Sequence, residues 1–252
     1  MCVDGGLGPQ AVSNMVHAVA KMSAAGKLAA TNADVLDTLT ALEQRVVEVA
    51  SDMESQSVSN TVYSFAVLGR QPGAQALAAL EAAVVRVGPR MDPQHVGNIW
   101  WAFATLGLMP GAETRAALET AVVRVEPGMK PQEVAMTAWS FATLGLMPGA
   151  EALAALESAV VRVGPGMTAH NVANTAWSFA TLGLMPGAGA RAALEVALVR
   201  VGPGMTAQNV ANTAWSFATL RLMPGADARA ALEVAVERVG PSMDPQAVAN
   251  TT

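Results

Sequence analysis

Side chains able to recognise another molecule recur in this chain at a constant interval. Gln56, Gln94, Gln132, His170, Gln208 and Gln246 stand 38 residues apart, as do Asn60, Asn98, Asn174, Asn212 and Asn250, where Met136 replaces one amide. Between the two runs a variable column: Ser57, His95, Glu133, Asn171, Asn209 and Ala247. Amides and hydroxyls both donate and accept hydrogen bonds, so such columns are candidates for reading the edges of unpaired bases in single-stranded RNA. A surface that is constant except at one position per repeat would suit a modular reader. The competing reading is a solvated helix face, with the Asn column bonded to the turn of the next repeat.

A further column, Arg86, Arg124, Arg162, Arg200 and Arg238, is a candidate for phosphate contact. Its alternative is a cation beside the last carbonyls of a helix. The parallel column Glu81, Glu119, Glu157, Glu195 and Glu233 offsets its charge and favours that alternative. Tyr63, Trp101, Trp139, Trp177 and Trp215 form an aromatic column two residues before Phe65, Phe103, Phe141, Phe179 and Phe217. Stacking on bases would suit it, but one large aromatic per repeat beside a Phe is expected to wedge neighbouring repeats together.

Catalytic constellations are absent from the pattern. His17, His95 and His170 occupy different places in their repeats, Cys2 is the single cysteine, and no paired acids, phosphate loop or Ser-His-Asp arrangement emerges. The expectation is a binding protein and not an enzyme, with neither cofactor nor metal nor small-molecule substrate.

The elements that must position these columns follow from the repeat itself. Units 53–90, 91–128, 129–166, 167–204 and 205–242 share one pattern, and the last two differ at 6 of 38 positions. A divergent first unit covers 9–52, with an eight-residue insertion expected within Ala24 to Asp34, and 243–252 begins another unit. Each unit reads as two helices. Thr206 is a good N-cap, with Met205 and Val210 spaced as a hydrophobic staple, and Asp92-Pro93 places a capping Asp before a Pro at the first helical position. Gly69, Gly107, Gly145 and Gly183 are expected to end the first helices in a left-handed conformation. Arg221 breaks that column, which predicts either strain of about 1 kcal/mol or a helix that runs on. The second helices stop at Gly-Pro pairs such as Gly88-Pro89 and Gly164-Pro165.

On the second helix Ala190, Leu194, Ala197, Leu198 and Val201 make one apolar face, with Arg191 and Glu195 on another side. On the first, Val210, Ala214, Phe217 and Ala218 make the core stripe beside Trp215, leaving Gln208, Asn212, Ser216 and Thr219 as a polar row. The methionine columns fall at the two turns and read as staples and turn packing. Tandem two-helix units describe an all-α fold, an α-solenoid.

Composition agrees with a packed array. Apolar residues make up 52% of the 252 and charged ones only 14%, which excludes intrinsic disorder. Mean hydropathy is +0.34, yet Gly-Pro and Pro-Gly pairs interrupt every charge-poor stretch before about 20 apolar residues accumulate, so no membrane span is expected. The formal charge of −5 excludes a generic polyanion binder with a basic stripe. The first residues show no targeting segment.

The stretch Asn-Val-Ala-Asn-Thr-Ala-Trp-Ser-Phe-Ala-Thr-Leu-Gly at 171–183, varied at 58–69, 96–107, 134–145 and 209–220, resembles the octotricopeptide repeats of algal organelle proteins. It is also similar to the helical repeats of the RNA-editing substrate-binding complex and of the FAST-kinase-like family. The resemblance covers about Pro9 to Thr252. It implies an α-solenoid that binds organellar RNA, in a mitochondrion or chloroplast, and acts in its processing, stabilisation, editing or translation. The RNA contacts would then fall on the first-helix columns. A protein-binding scaffold of the armadillo or HEAT kind is the alternative. The chain is also expected to be part of a longer array, because it stops inside a first helix.

Overall fold

The computed structural model describes residues 7–28 and 32–242. Residues 243–252, where the start of a further unit was expected and where Gln246, Ala247 and Asn250 fall, lie outside the described residues, as does Cys2. Twelve α-helices make up the described chain: α1 (Pro9–Ala24), α2 (Ala33–Val49), α3 (Ser55–Val67), α4 (Ala74–Val87), α5 (Pro93–Leu106), α6 (Ala112–Val125), α7 (Pro131–Leu144), α8 (Ala150–Val163), α9 (Ala169–Thr181), α10 (Ala188–Val201), α11 (Ala207–Thr219) and α12 (Ala226–Val239). The fold is all-α and solenoid-like. It divides into two compact units, one up to Ala121 and one from Val122.

Odd-numbered helices are the first helices of their repeats and pack on one another, α1 on α3 and α3 on α5 in the first unit, α7 on α9 and α9 on α11 in the second. Even-numbered helices form a second layer, with α2 against α4, α8 against α10 and α10 against α12. The core between layers is built from Phe65, Phe103, Phe141 and Phe179, from the Leu and Val face of the second helices, and from Met53, Met91, Met129, Met167 and Met205, all buried. These methionines are the staples expected from the sequence. The other methionine column behaves differently: Met109, Met147, Met185 and Met223 are 51–69% exposed, so turn packing does not account for it.

Local chemistry sets the helix ends. Gly69, Gly107, Gly145 and Gly183 have φ of 61, 63, 63 and 65°, where an L side chain is strained. At Gly107 the Leu108 amide donates to the Phe103 carbonyl at 2.9 Å, closing the helix in a Schellman turn. Arg221 makes the same turn at φ 52°, with Leu222 donating to Phe217 at 2.9 Å, so the strained alternative is the one adopted. The second helices end otherwise. Gly88, Gly164 and Gly202 stay right-handed and begin short 3-10 turns. A Cβ at Gly164 would stand 3.2 Å from the Ala193 Cβ of the next second helix, which gives this glycine a packing reason. In the first repeat α1 ends before Gly26 at φ 67° and α2 starts at Ala33, which is where the insertion was expected.

Two polar ladders join the elements within each unit. A Glu carboxylate on one second helix accepts the backbone N–H of the glycine that opens the next: Glu43 from Gly73 at 2.5 Å and Glu81 from Gly111 at 2.7 Å, then Glu157 from Gly187 at 2.7 Å and Glu195 from Gly225 at 3.1 Å. An anion there meets the positive end of a helix dipole and an otherwise unpaired donor. In the Glu column, Glu81, Glu157 and Glu195 therefore cap helices, while Glu119, Glu195 and Glu233 also pair with Arg115, Arg191 and Arg229 four residues before them. Gly73 and Gly225 leave room for the carboxylate, since a Cβ would lie 2.7 Å from Glu43 Oε1 at the first and 2.9 Å from Glu195 Oε2 at the second.

The Arg column forms the second ladder. Arg86 donates to the carbonyls of Ala50 at 3.1 Å and Met53 at 2.6 Å, and Arg162 to those of Met129 at 2.9 Å and Glu126. Arg200 reaches the Met167 carbonyl and Arg238 that of Met205. These guanidinium groups tie each second helix to the turn that begins its own repeat. The phosphate role suggested by their spacing gives way to a structural one at the four positions with these carbonyl bonds. Among the described residues no helix is long and apolar enough to cross a membrane.

The strained turn supplies a direct test. Arg221→Gly should raise stability by about 1 kcal/mol, read as a shift of the urea midpoint, because it relieves left-handed strain without removing a core contact. An unchanged or lowered midpoint would refute the strain.

Candidate functional site

Each first helix presents one strip that neither layer of the core covers. On α11 it comprises Gln208, Asn212, Trp215 and Thr219, at i, i+4, i+7 and i+11. The same strip is Gln56, Asn60, Tyr63 and Val67 on α3; Gln94, Asn98, Trp101 and Thr105 on α5; Gln132, Met136, Trp139 and Thr143 on α7; and His170, Asn174, Trp177 and Thr181 on α9. The Gln and His170 side chains are exposed, the Asn and aromatic residues half-buried, and the threonines exposed. Helical geometry accounts for the alignment, since residues three and four apart stack along one face.

The Gln and Asn columns therefore lie where they can meet a ligand. The variable column does not. Ser57, His95, Glu133, Asn171 and Asn209 each occupy the third position of their helix, and four of them turn back onto its N-terminus. The Asp92 amide donates to His95 Nδ1 at 3.3 Å, the Lys130 amide to Glu133 Oε2 at 2.7 Å and the Thr168 amide to Asn171 Oδ1 at 3.1 Å. The Asn171 amide donates in return to Thr168 Oγ1 at 3.2 Å, and the Asn209 amide to Thr206 Oγ1 at 3.3 Å. Ser57 is buried, and its carbonyl accepts the Ser13 hydroxyl at 3.0 Å. Reciprocal bonds of this kind form a capping box, which satisfies amides the helix leaves unpaired. Variation along this column changes how each helix starts.

The serine expected in the polar row is also withdrawn. Ser64, Ser140, Ser178 and Ser216 are buried and donate to the carbonyls of Asn60, Met136, Asn174 and Asn212 at 2.6, 2.8, 2.6 and 2.5 Å. Trp215 and its equivalents take the place on the strip that Ser216 was assigned. The aromatic column is half-buried at the margin of the strip, with Phe65, Phe103, Phe141 and Phe179 filling the core two residues later, and between α3 and α5 Tyr63 and Trp101 pack against each other as the expected wedge between repeats. The signal was present: seven residues from Gln208 to Trp215 is close to two full turns.

In the first unit the aromatic side chains form a continuous ladder. The Tyr63 and Trp101 rings lie 4.9 Å apart at 34°, and His17, which holds the equivalent place on α1, lies 6.5 Å from Tyr63. His17 Nδ1 is 3.1 Å from Ser64 Oγ. Desolvation, and secondarily the positive charge of Lys21, hold the His17 pKa below the usual imidazole value. In the second unit Asn174 Nδ2 lies 3.0 Å from His170 Nε2, which orients that amide along the strip.

The strips of α3, α5, α7, α9 and α11 bear amide, imidazole, aromatic, hydroxyl, thioether and, at Val67, aliphatic groups but no carboxylate, Lys or Arg, whereas the equivalent line on α1 ends in the exposed Lys21. Among the described residues no cluster of His, Cys, Asp or Glu could hold a metal. The chemistry on offer is flat stacking beside amide hydrogen bonding, with few direct phosphate contacts.

A family model described as Tbc2 translation factor, N-terminal domain, matches residues 90–251, well over half of the chain. No curated protein matches the chain significantly.

Two outcomes check these assignments. Asn171→Ala should lower stability by about 1 kcal/mol through loss of the cap, seen in the denaturation midpoint. Neutral His17 is favoured in the folded state, so the unfolded chain binds more protons as pH falls. The His17 contribution is thus complete above about pH 6.5 and is lost as pH drops below it. The drop in melting temperature from pH 7.5 to 5 should shrink in His17→Gln; an equal drop would contradict the assignment.

Proposed function

The chain belongs to the family of the Tbc2 translation factor N-terminal domain, and on that basis and the geometry of the first-helix strips we propose that it binds single-stranded RNA in the control of organellar translation or RNA processing. The observation that carries the reading is the recurrence, helix after helix, of an amide and a half-buried aromatic side chain along one solvent-reached strip. An unpaired base offers a π-face for the aromatic side chain and hydrogen-bonding edges for the amide. A translation-factor family supports an RNA ligand, and the neutral strip supports contact through bases more than through phosphates. We place the protein in a mitochondrion or chloroplast, following the repeat resemblance, and assign it no catalytic role.

The acidic charge is compatible with this reading. Arg86, Arg162, Arg200 and Arg238 are bonded to backbone carbonyls, so their charge supports the scaffold. Binding should then depend only weakly on salt, since the salt slope counts phosphates neutralised.

Anisotropy titration with unstructured RNA oligonucleotides, with tryptophan emission as a second readout, tests the proposal. Binding should quench Trp emission, and its logarithm should fall with log salt at a slope of about −0.7 for each phosphate contacted, giving a total of about −1 to −2. Trp177→Ala should weaken binding by about tenfold or more, as expected for loss of one stacked base. Its effect on stability should be well below the roughly 3–5 kcal/mol of Phe179→Ala. No binding at low salt would overturn the reading, and capture of an extended peptide on the same strip would replace it with the scaffold alternative.

A further inference from the structure

The three strips of the second unit differ at their middle position. On α9 and α11 that position is an amide, Asn174 or Asn212; on α7 it is the thioether of Met136, equally half-buried. The backbone beneath is the same in all three, because the carbonyls of Met136, Asn174 and Asn212 each accept the hydroxyl of a serine four residues on, at 2.8, 2.6 and 2.5 Å. The exchange alters chemistry and leaves the scaffold unchanged.

Asn carries two donors and an acceptor, whereas a thioether sulfur donates nothing and accepts weakly. A polar group on a half-buried strip disfavours any base whose edge cannot pair with it, since a partner is then left unsatisfied. A thioether imposes no such penalty. Two neighbours on α7 do not replace the lost amide. Glu133 is engaged by the Lys130 amide, and Gln132 sits at the exposed edge, where water competes for its bonds. Trp139 remains on the strip, and stacking is open to every base because every base has a π-face.

We propose that Met136 is a specificity-determining residue that makes the α7 strip tolerant of any base, so that this unit selects bases at α9 and α11 and passes over one at α7. The inference rests on the RNA-binding reading above. It adds the substrate class: a single-stranded segment with a fixed stretch next to an unconstrained position.

The test is selection from a randomised RNA pool by the full chain, its Met136→Asn variant and its Asn174→Met variant, followed by sequencing. Met136→Asn is compatible with the fold, because Asn98, Asn174 and Asn212 occupy the same place in other repeats. The unaltered chain should enrich RNAs in which one position next to the selected stretch varies within about twofold among the four bases. Met136→Asn should create a preference of about fivefold or more at that position, with an unchanged melting temperature, since one well-matched side chain supplies about that discrimination. Asn174→Met should flatten the neighbouring position. Identical base profiles for the unaltered chain and Met136→Asn, with RNA enriched by both, would overturn the role of Met136 and leave the RNA reading intact. Failure of the unaltered chain to enrich any RNA would overturn both.

Discussion

A carboxylate held against the first N–H of the following second helix sets the register on which everything else in each unit depends. The Glu43–Gly73, Glu81–Gly111, Glu157–Gly187 and Glu195–Gly225 bonds span 30 residues each and recur at nearly the same geometry. A charged acceptor at a helix N-terminus contributes about 1–2 kcal/mol when partly buried. A slip between second helices would break the bond and leave the glycine amide unpaired, while Glu43 and Glu195 would keep only Arg70 and Arg191 as partners. A side chain in place of Gly73 or Gly225 would press on the carboxylate and displace it from this contact. With second helices so located, the Arg ladder fixes each repeat's own turn, and the first helices are carried into alignment. The strips coincide within a unit because the layer behind them cannot slide.

The same few residue types serve opposite purposes according to their angular position. Asn171 and Asn174 are three residues apart, yet one closes a capping box and the other lies half-exposed on the strip. Ser178 and Thr181 divide in the same way, one back-bonded to a carbonyl in the core, the other exposed. A residue step turns the helix by about 100°. This partition explains how a chain with so little charge remains specific in its packing: the polar groups facing inward are mostly bonded within their own helix, and the net contribution of each is about 1 kcal/mol. It also separates stability from recognition, since exchanges on the strip leave caps and core intact.

Much of this was legible in the chain itself. The 38-residue period, two helices per repeat, the left-handed glycines and the strain at Arg221 follow from local rules about capping, Gly and Pro, which act over a few residues and survive any tertiary context. What the sequence left open was which face the core would take. Periodicity groups Gln208, Asn212 and Trp215, but hydrophobicity groups Trp215 with Phe217, because large aromatic residues are usually buried. The capping role of Asn171 and Glu133 was hidden for a related reason: a polar residue at the third helical position is indistinguishable in composition from one on an open face. The Glu ladder could not be seen from spacing, because its partner is a backbone amide and carries no residue type.

The exposure of the aromatic column is a departure from what stability alone would favour. A tryptophan buries about 150–250 Å² when fully covered, so leaving part of it open, as at these half-buried positions, forgoes up to about 2 kcal/mol at about 25 cal/mol per Å². The adjacent Phe column already fills the core, and Met129, Met167 and Met205 seal the turns. A smaller apolar residue at 139, 177 or 215 would cover the same inner contacts with less exposed surface. One such residue needs no explanation, but a column of incompletely covered aromatics beside aligned amides does. A ligand with flat faces and polar edges would use both halves of that strip at once, and this pairing, more than either column by itself, distinguishes a recognition surface from a merely solvated helix face.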